Sequence, residues 1–137
     1  MIHEQPLRVG ADDIDELGHV GNVRYLDWLI TAAMAHSAAL GWDWPRYREL
    51  GGAFVVRRHE LDYLRPAFVD DELLIRTWVR SLARASSVRD YEIRRGDQVL
   101  VRASTTWAFI DLRSGSPTRI PAEIVAAFEV AVRSASE

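Results

Sequence analysis

The chain has 137 residues, 48% of them hydrophobic and 27% charged, with a formal net charge of -3. This length and composition predict one domain spanning residues 1–137, and the acidic balance argues against a nucleic-acid partner, which usually needs a basic surface. The chain contains no cysteine, and every basic residue other than histidine is arginine. Disulfides, thiolate metal ligands, a cysteine nucleophile and a lysine Schiff base are therefore excluded, and we expect neither a cofactor nor a metal ion.

The N-terminus and the apolar segments carry no targeting or membrane signal. Residues Met1–Pro6 lack the basic segment followed by an apolar run that marks a signal peptide. No stretch approaches the ~20 consecutive apolar residues of a membrane-spanning helix. We therefore predict a cytoplasmic protein with no membrane partner.

The first predicted elements are a short strand and a long helix. Leu7–Val9 has strand character and is followed by an acidic loop with glycines. Asn22 is suited to cap a helix, because its side chain can accept a hydrogen bond from a first-turn amide, and Gly41 occupies the position of a left-handed C-terminal cap. Most residues from Val23 to Leu40 are apolar, so we predict a helix that is surrounded by protein on most sides.

The rest of the chain is predicted to form an antiparallel sheet and two further helices. After a short helix opened by Pro45, four segments are rich in the β-branched and aromatic residues of strands. These segments are Ala53–Arg65, Glu72–Ala83, Ser86–Arg95 and Val99–Leu112. Their short connections favour antiparallel pairing of consecutive strands, because a parallel crossover needs a dozen or more residues. Pro121 starts a final helix with an apolar side formed by Ile124, Val125, Phe128 and Val132. The prediction is an α+β fold in which an antiparallel β-sheet wraps around a long central α-helix.

The loop from Asp13 to Gly21 carries the residues best suited to chemistry. It places carboxylates, one histidine and two glycines directly before the long helix. A helix N-terminus presents unpaired amides and a partial positive charge, which suit an oxygen that becomes negative, such as a thioester carbonyl under attack. Acidic residues before helices also serve as caps or are simply solvated, so the residues alone leave both interpretations open.

This loop resembles the signature of a known enzyme family. Residues 13–26, DIDELGHVGNVRYL, are similar to the pattern D-x-D-x-x-G-H-V-N-N-x-x-Y-L of 4-hydroxybenzoyl-CoA-type hotdog thioesterases. The resemblance continues through residues 57–67 and 70–73 and spans about residues 7–112. It implies a hotdog fold and an enzyme that hydrolyses an acyl-CoA thioester to the free acid and CoA. Acyl carrier protein thioesterases share a related segment, so the carrier of the acyl group stays open.

The resemblance also implies roles for residues of the loop and the helix start. Asp15 matches the catalytic aspartate, which attacks the thioester carbonyl or activates a water molecule for that attack. The amides around Asn22 and Val23 match the oxyanion-stabilising helix start, and His19 matches a histidine that related enzymes keep four residues after the aspartate. A structural hydrogen bond across the loop is the other interpretation of His19. Gly21 departs from the family's usual asparagine and lets a substrate approach the backbone closely.

A predicted turn carries candidate contacts to the CoA nucleotide. Arg80, Arg84 and Ser86 surround the turn between the third and fourth predicted strands. Guanidinium forks and hydroxyls suit phosphate groups, and members of the family often hold the CoA nucleotide near this turn. An ordinary solvated turn is the other interpretation of these residues.

Other candidates lie on the helix and on the strands. Tyr25, together with Trp28 and Trp107, is either an apolar neighbour of the acyl group or plain core. His59 either borders the pocket or is an ordinary strand histidine. The remaining histidines, His3 and His36, match no motif and are assigned no role.

Several alternative functions fit the sequence less well than thioester hydrolysis. Hotdog dehydratases and hydratases use a histidine with an acidic partner in motifs that the chain lacks. A non-catalytic acyl-CoA sensor would normally carry an additional DNA-binding segment. A serine hydrolase and a zinc hydrolase are disfavoured, because neither G-x-S-x-G nor H-E-x-x-H occurs.

Self-association is predicted from the sheet. A lone hotdog unit exposes a long sheet edge, which invites pairing with another chain. We therefore expect a homodimer with a continuous sheet and two active sites shared between the subunits. A homotetramer remains open.

Overall fold

The computed structural model describes the backbone of residues 2–136 and the side chains of residues 2–129. A 3₁₀ turn at Ala11–Asp13 follows the first strand. The helices and strands, in chain order, are β1 (His3–Arg8), α1 (Asn22–Ala39), α2 (Trp44–Leu50), β2 (Gly52–Tyr63), β3 (Glu72–Leu82), β4 (Ser86–Arg95), β5 (Gln98–Asp111) and α3 (Ala122–Ser136).

The strands form one antiparallel five-stranded sheet in the order β1-β3-β4-β5-β2. β3, β4 and β5 pair consecutively as predicted, because their connections are only a few residues long. The expected pairing of the second and third predicted strands is wrong, since β2 pairs with β5 at one edge of the sheet. The connection containing Pro66 carries the chain past β5 and β4 to β3, which lies beside β1. The edges of the sheet are therefore β1 and β2.

The first strand is longer than the sequence suggests. β1 begins at His3, and its ladder with β3 runs from the pair His3–Thr77 to the pair Arg8–Glu72. Pro6 is tolerated within it because an edge strand leaves one row of backbone groups without a partner strand. The cross-strand ladder, rather than the local strand propensity of this segment, extends β1.

The long helix α1 packs against the inner face of the sheet. Its N-cap is Gly21 and no side chain caps it, so the predicted capping by Asn22 is wrong. Gly41, with a φ of +94°, adopts the expected left-handed conformation just after the helix. The buried residues of α1 are Tyr25, Trp28, Leu29, Ala32, Ala33 and His36. Val23 and Met34 are 74% and 60% exposed, so a single chain buries one side of α1 and does not surround the helix as expected.

Two apolar clusters make up the core. The larger one joins the buried side of α1 to inward residues of β3, β4 and β5, including Ile75, Ile93 and Val101. The smaller one joins α2 and α3 to the other end of the sheet through Tyr47, Phe109 and Phe128. The sheet and α1 thus confirm the predicted α+β architecture.

The two shorter helices occur where the prolines predict them. α2 has Pro45 in its first turn, and Asp43 caps it by accepting a hydrogen bond from the Arg46 amide at 3.1 Å. α3 starts directly after Pro121 and buries Ile124 and Phe128. The prediction for Val132 lies outside the described side chains. Within the described residues, no helix is both long enough and apolar enough to cross a membrane.

Candidate active site

The segment from Ile14 to Val20 is a tight loop that fixes Asp15 beside the start of α1. Ile14 and Val20 pair as an isolated antiparallel bridge, and the Asp15 amide donates to the His19 carbonyl at 2.9 Å. The Asp15 carboxylate accepts a hydrogen bond from the Leu17 amide at 2.9 Å. Short backbone hydrogen bonds therefore hold this carboxylate in one place.

Asp15 lies next to Gly21, the N-cap of α1. A Cβ built on Gly21 would lie 3.7 Å from the Asp15 Cβ, which is ordinary van der Waals contact. Among the described residues, nothing accepts a hydrogen bond from the amides of Asn22 and Val23. Free N–H groups at the positive end of a helix are suited to bind a developing oxyanion. The Asp15 side chain is 37% exposed, so a ligand can reach the carboxylate.

Asp13 fastens the loop to the first turn of α1. Its Oδ1 accepts a hydrogen bond from Nε of Arg24 at 2.8 Å, and its Oδ2 accepts one from the Gly10 amide at 2.9 Å. Its backbone carbonyl accepts the Gly21 amide at 3.1 Å. With both carboxylate oxygens bonded and only 11% of the side chain exposed, Asp13 is a structural residue.

The His19 ring lies between the loop backbone and Asp15. Its Nδ1 is 3.3 Å from the Val20 carbonyl oxygen and 3.9 Å from Asp15 Oδ1. The first distance allows a hydrogen bond to the carbonyl of the next residue, so the hydrogen bond across the loop that the sequence left open stays a prediction. The second places the ring close enough to Asp15 for electrostatic coupling when the ring is protonated.

A groove of about 820 Å³ runs between α1 and the inner face of the sheet. We call it the α1 groove, and its volume falls within the usual range for small-molecule pockets. One wall is the partly exposed side of α1, with Leu26, Ile30 and Met34. The aromatic residues that line it are Trp28, Trp42, Trp44, Tyr47, Phe54, Trp107 and Phe128. Such walls suit an apolar group.

The α1 groove contains some of the predicted acyl neighbours but not all. Trp28, Trp107 and His59 line it. Tyr25 does not, because it is 3% exposed and its hydroxyl accepts the Ala67 amide at 3.1 Å within the core. Asp15 is also not a lining residue, although the groove reaches Arg24, in the first turn of α1 and bonded to the same loop.

Polar side chains form part of the floor of the α1 groove. Arg89 lines the groove, is 4% exposed, and its Nη1 donates to His36 Nδ1 at 2.8 Å and to Thr77 Oγ1 at 3.1 Å. Burial, with Arg89 nearby, lowers the pKa of His36 to about 3, so the ring is neutral. Beside them, His59 Nδ1 lies 2.9 Å from Thr105 Oγ1. Burial lowers the pKa of His59 as well.

Neither Arg89 nor His36 belongs to a motif in the sequence. The sequence indicates no role for His36, yet it is fully buried in contact with Arg89. Two sequence patterns indicate that these residues face inward. His36 lies three turns after Tyr25 on the buried side of α1. Arg89 alternates with Ser87 and Tyr91 on the inward side of β4.

The predicted nucleotide-binding residues lie at the opposite end of the sheet from Asp15. The turn before β4 is held to β5 by the hydrogen bond from the Phe109 amide to the Ala85 carbonyl. The connection between β2 and β3 contacts the Asp15 loop, because the Ala67 carbonyl accepts the Val20 amide, and this connection is bound to β5 by the hydrogen bond from the Leu64 amide to the Leu100 carbonyl. Nine residues of β5 separate these points, roughly 30 Å in an extended strand. One chain therefore does not bring Asp15 and Arg84 together.

The three residues of that predicted set differ in their surroundings. Arg80 is bound to Asp90, with its Nε 2.9 Å from Oδ2, on the outer face of the sheet. The Arg84 side chain is exposed, while its carbonyl accepts the Ile120 amide at 2.8 Å. Ser86 is half-buried at the start of β4. Arg84 is thus the residue of this set best placed to meet a phosphate in solution.

Within the described residues, no group of three or more potential ligand side chains could hold a metal ion.

Comparison with known proteins identifies the family. Residues 9–128 match the Thioesterase-like superfamily. The chain belongs to this superfamily. Membership confirms the resemblance found in the sequence and the class of enzyme, a thioester hydrolase.

Individual relatives agree with this assignment. This chain is 31% identical to the acyl-CoA thioesterase YbgC of Haemophilus influenzae over 124 residues, which cover 90% of this chain and 91% of YbgC. A probable thioesterase from Bartonella henselae is 29% identical with a TM-score of 0.81, covering 88% of this chain and all of that one. A 1,4-dihydroxy-2-naphthoyl-CoA thioesterase from Synechocystis shares 20% identity and a TM-score of 0.84, covering 100% and 99% of the two chains. These structures confirm the hotdog fold.

Proposed function

We propose that this protein hydrolyses acyl-CoA thioesters with Asp15 as its catalytic carboxylate. The observation that carries the proposal is the contact between Asp15 and Gly21 at the start of α1, beside the free amides of Asn22 and Val23. This contact supports a site in which an accessible carboxylate acts beside two N–H donors. The name of the Haemophilus influenzae relative, an acyl-CoA thioesterase, supports the substrate class.

The mechanism follows from the charges at this point. The thioester carbonyl oxygen accepts hydrogen bonds from the amides of Asn22 and Val23, which stabilise the negative charge that develops during attack. Asp15 either attacks the carbonyl carbon, giving an anhydride that water then opens, or removes a proton from the attacking water. In both routes the CoA thiol leaves and the free acid remains. His19, 3.9 Å from Asp15, lies beside the carboxylate in this arrangement.

The distance between Asp15 and Arg84 is consistent with an active site shared between two chains. β2 is an edge strand with exposed Val55 and Val56, and a two-fold axis at this edge would pair it antiparallel with its own copy. Such a rotation reverses the direction of the sheet. The Asp15 end of one chain then lies at the same end as the Arg84 turn of its partner. A CoA ester bound by both would have its nucleotide on one chain and its thioester on the other.

The nucleotide part of this arrangement predicts a separable effect. Arg84→Ala removes an exposed guanidinium and should raise KM for a CoA ester about tenfold or more, the usual scale for a charge-assisted hydrogen bond. The KM of the matching pantetheine ester, which lacks the nucleotide, should stay unchanged. Arg113→Ala, at another exposed arginine, serves as the control. An equal rise in KM for both esters would remove Arg84 from nucleotide binding.

The activity itself is tested by release of free thiol across a panel of acyl-CoA esters and the matching acyl carrier protein thioesters. We expect hydrolysis of at least one CoA ester and a lower kcat/KM for the carrier protein thioester. Faster turnover of the carrier protein thioester would identify an acyl carrier protein thioesterase instead. If every ester stays intact while the protein binds CoA, the protein is a non-catalytic acyl-CoA-binding protein.

The assembly is tested by sedimentation at micromolar concentration. We expect a dimer, or a tetramer built from two such dimers. A stable monomer with full activity would contradict the shared site.

A further inference from the structure

The α1 groove is apolar along its walls but contains a buried positive charge. Arg89 lines the groove and is 4% exposed. An arginine side chain stays protonated in proteins and has no acceptor atom. Removing such an ion from water is costly unless an anion compensates it. The surroundings of Arg89 therefore decide whether the chain itself supplies that anion.

The described part of the chain gives Arg89 only neutral partners. Its Nη1 donates to His36 Nδ1 at 2.8 Å and to Thr77 Oγ1 at 3.1 Å. His36 must accept through Nδ1, so its proton is on Nε2, and this buried N–H has no acceptor within residues 2–129. No carboxylate among those residues lies within ion-pair distance of Arg89. The charge is hydrogen-bonded but not neutralised.

Other hydrogen-bonding groups line the groove near Arg89. Ser87 precedes it on the same inward side of β4, and His59 lies across the sheet at the level of Thr105, which pairs with Arg89. The Trp107 indole lies in the same wall. On the outer face, Arg80 has a carboxylate partner in Asp90, whereas Arg102 has no ion pair among the described residues but is exposed to water. Arg89 differs from both because its charge is buried and has no carboxylate partner.

We propose that Arg89 is a specificity-determining residue that pairs with a carboxylate on the acyl group of the substrate. The preferred substrates are then monothioesters of dicarboxylic acids, with an apolar segment against the aromatic walls and an anionic end at Arg89. The proposal deepens the proposed thioesterase function and rests on it. A simple fatty acyl group would fill the apolar walls but leave the buried charge unpaired.

The first test compares matched ester pairs on the wild-type protein. Each ω-carboxyacyl-CoA, from succinyl-CoA and adipyl-CoA to longer homologues, is paired with the fatty acyl-CoA of the same length. At the best length we expect kcat/KM to be about tenfold or more higher for the carboxylated ester, the lower range for a buried charge pair. The ω-hydroxyacyl ester of that length separates charge from hydrogen bonding, and it should behave like the fatty ester. Equal turnover of the carboxylated and fatty esters at all lengths would overturn the proposal.

The second test removes the charge. Arg89→Met keeps the length and apolar stem of the side chain, and exchanging a buried charge for an apolar residue is often tolerated. We expect this variant to lose the preference for the carboxylated ester and to retain hydrolysis of the fatty ester. Thr77→Val, which removes one hydrogen bond of Arg89 but keeps its charge, is the control and should keep the preference. If the Arg89→Met variant keeps the preference for the carboxylated ester, a residue other than Arg89 is responsible for that preference.

A binding measurement keeps the test independent of catalysis and of the folding of the variants. Calorimetry on the wild-type protein compares a non-hydrolysable thioether of CoA bearing an ω-carboxyl group with its methyl-ended counterpart. Tighter binding of the carboxylated analogue supports the proposal even if no thioester is hydrolysed. Equal affinity would overturn it while leaving the hydrolysis of other thioesters untouched.

Discussion

The two ends of α1 place ionisable groups in opposite environments. At the N-terminal end, Asp15 is 37% exposed and is held by bonds to backbone amides of its own loop. Toward the C-terminal end, His36 is fully buried and is held by the side chain of Arg89 on a distant strand. A charged group that reacts with a substrate must be accessible, so local backbone bonds position it. A buried group is instead positioned by side chains, and its protonation state becomes part of the stability of the fold.

The largest expected effect concerns the exposed end. Asp15→Asn should lower the rate of thioester hydrolysis by roughly 10²–10⁴-fold, the usual scale for a lost acid–base group. The asparagine oxygen can still accept the Leu17 amide, so the loop should keep its shape. Glu16→Gln, a neighbouring exposed carboxylate, is the matched control and should retain activity. Near-wild-type turnover of a folded Asp15→Asn protein would remove Asp15 from the catalytic role.

The next expected effect concerns the buried end of α1 and is the pH dependence of stability contributed by His36. The pKa of His36 is about 3 in the folded protein, chiefly because of burial and then because of Arg89, with His3 stacked on the ring adding to it. In the unfolded chain it is about 6.5. The unfolded state therefore binds the proton first as pH falls. This contribution to stability is complete above pH ~6.5 and is lost between about 6.5 and 3, by up to about 1.4 kcal/mol per pH unit.

His36→Gln isolates this contribution, because glutamine keeps an acceptor for Arg89 but does not titrate. Urea unfolding between about pH 7 and 5, above the titration of most carboxylates, should give a smaller loss of stability for the variant than for the wild type. Parallel curves for the two proteins would show that His36 does not remain neutral in the folded state.

A smaller effect concerns the attachment of the exposed loop. Asp13→Ala removes the acceptor for Arg24 and for the Gly10 amide and should lower the free energy of unfolding by about 1–3 kcal/mol. Asp12→Ala, an exposed neighbour in the same turn, should have little effect on the melting temperature. Equal melting temperatures for both variants would mean that the loop does not depend on the hydrogen bonds of Asp13 to Arg24 and Gly10.

Much of the exposed end was predictable because its structure is local. The loop, the helix start and the glycine after the helix are all fixed by contacts between residues close in sequence, as the bonds from Asp15 to Leu17 and His19 illustrate. The one local error was the cap, where Gly21 takes the position expected for Asn22. That difference leaves the first-turn amides free, because Gly21 has no side chain that could accept a hydrogen bond from them, as an asparagine cap would.

The buried end was not predictable in the same way. Arg89 and His36 are 53 residues apart in sequence, and their contact depends on which face of β4 meets α1. Both faces of β4 contain arginine and other polar residues, so the alternation of residue types along β4 does not indicate which face is buried. The same limit explains the wrong pairing of β2, whose partner β5 lies far along the chain. Connection length favours consecutive pairing, but it does not reveal a connection that crosses the sheet.

The sequence by itself determined the elements, the family and the position of Asp15 before a helix, because these follow from short-range propensity and a contiguous motif. The tertiary structure alone decided that Arg89 is buried against neutral partners and that Asp15 and Arg84 lie at opposite ends of one sheet. Both facts depend on long-range packing, in which burial changes the energy of a charge and strand order sets the distance between sites.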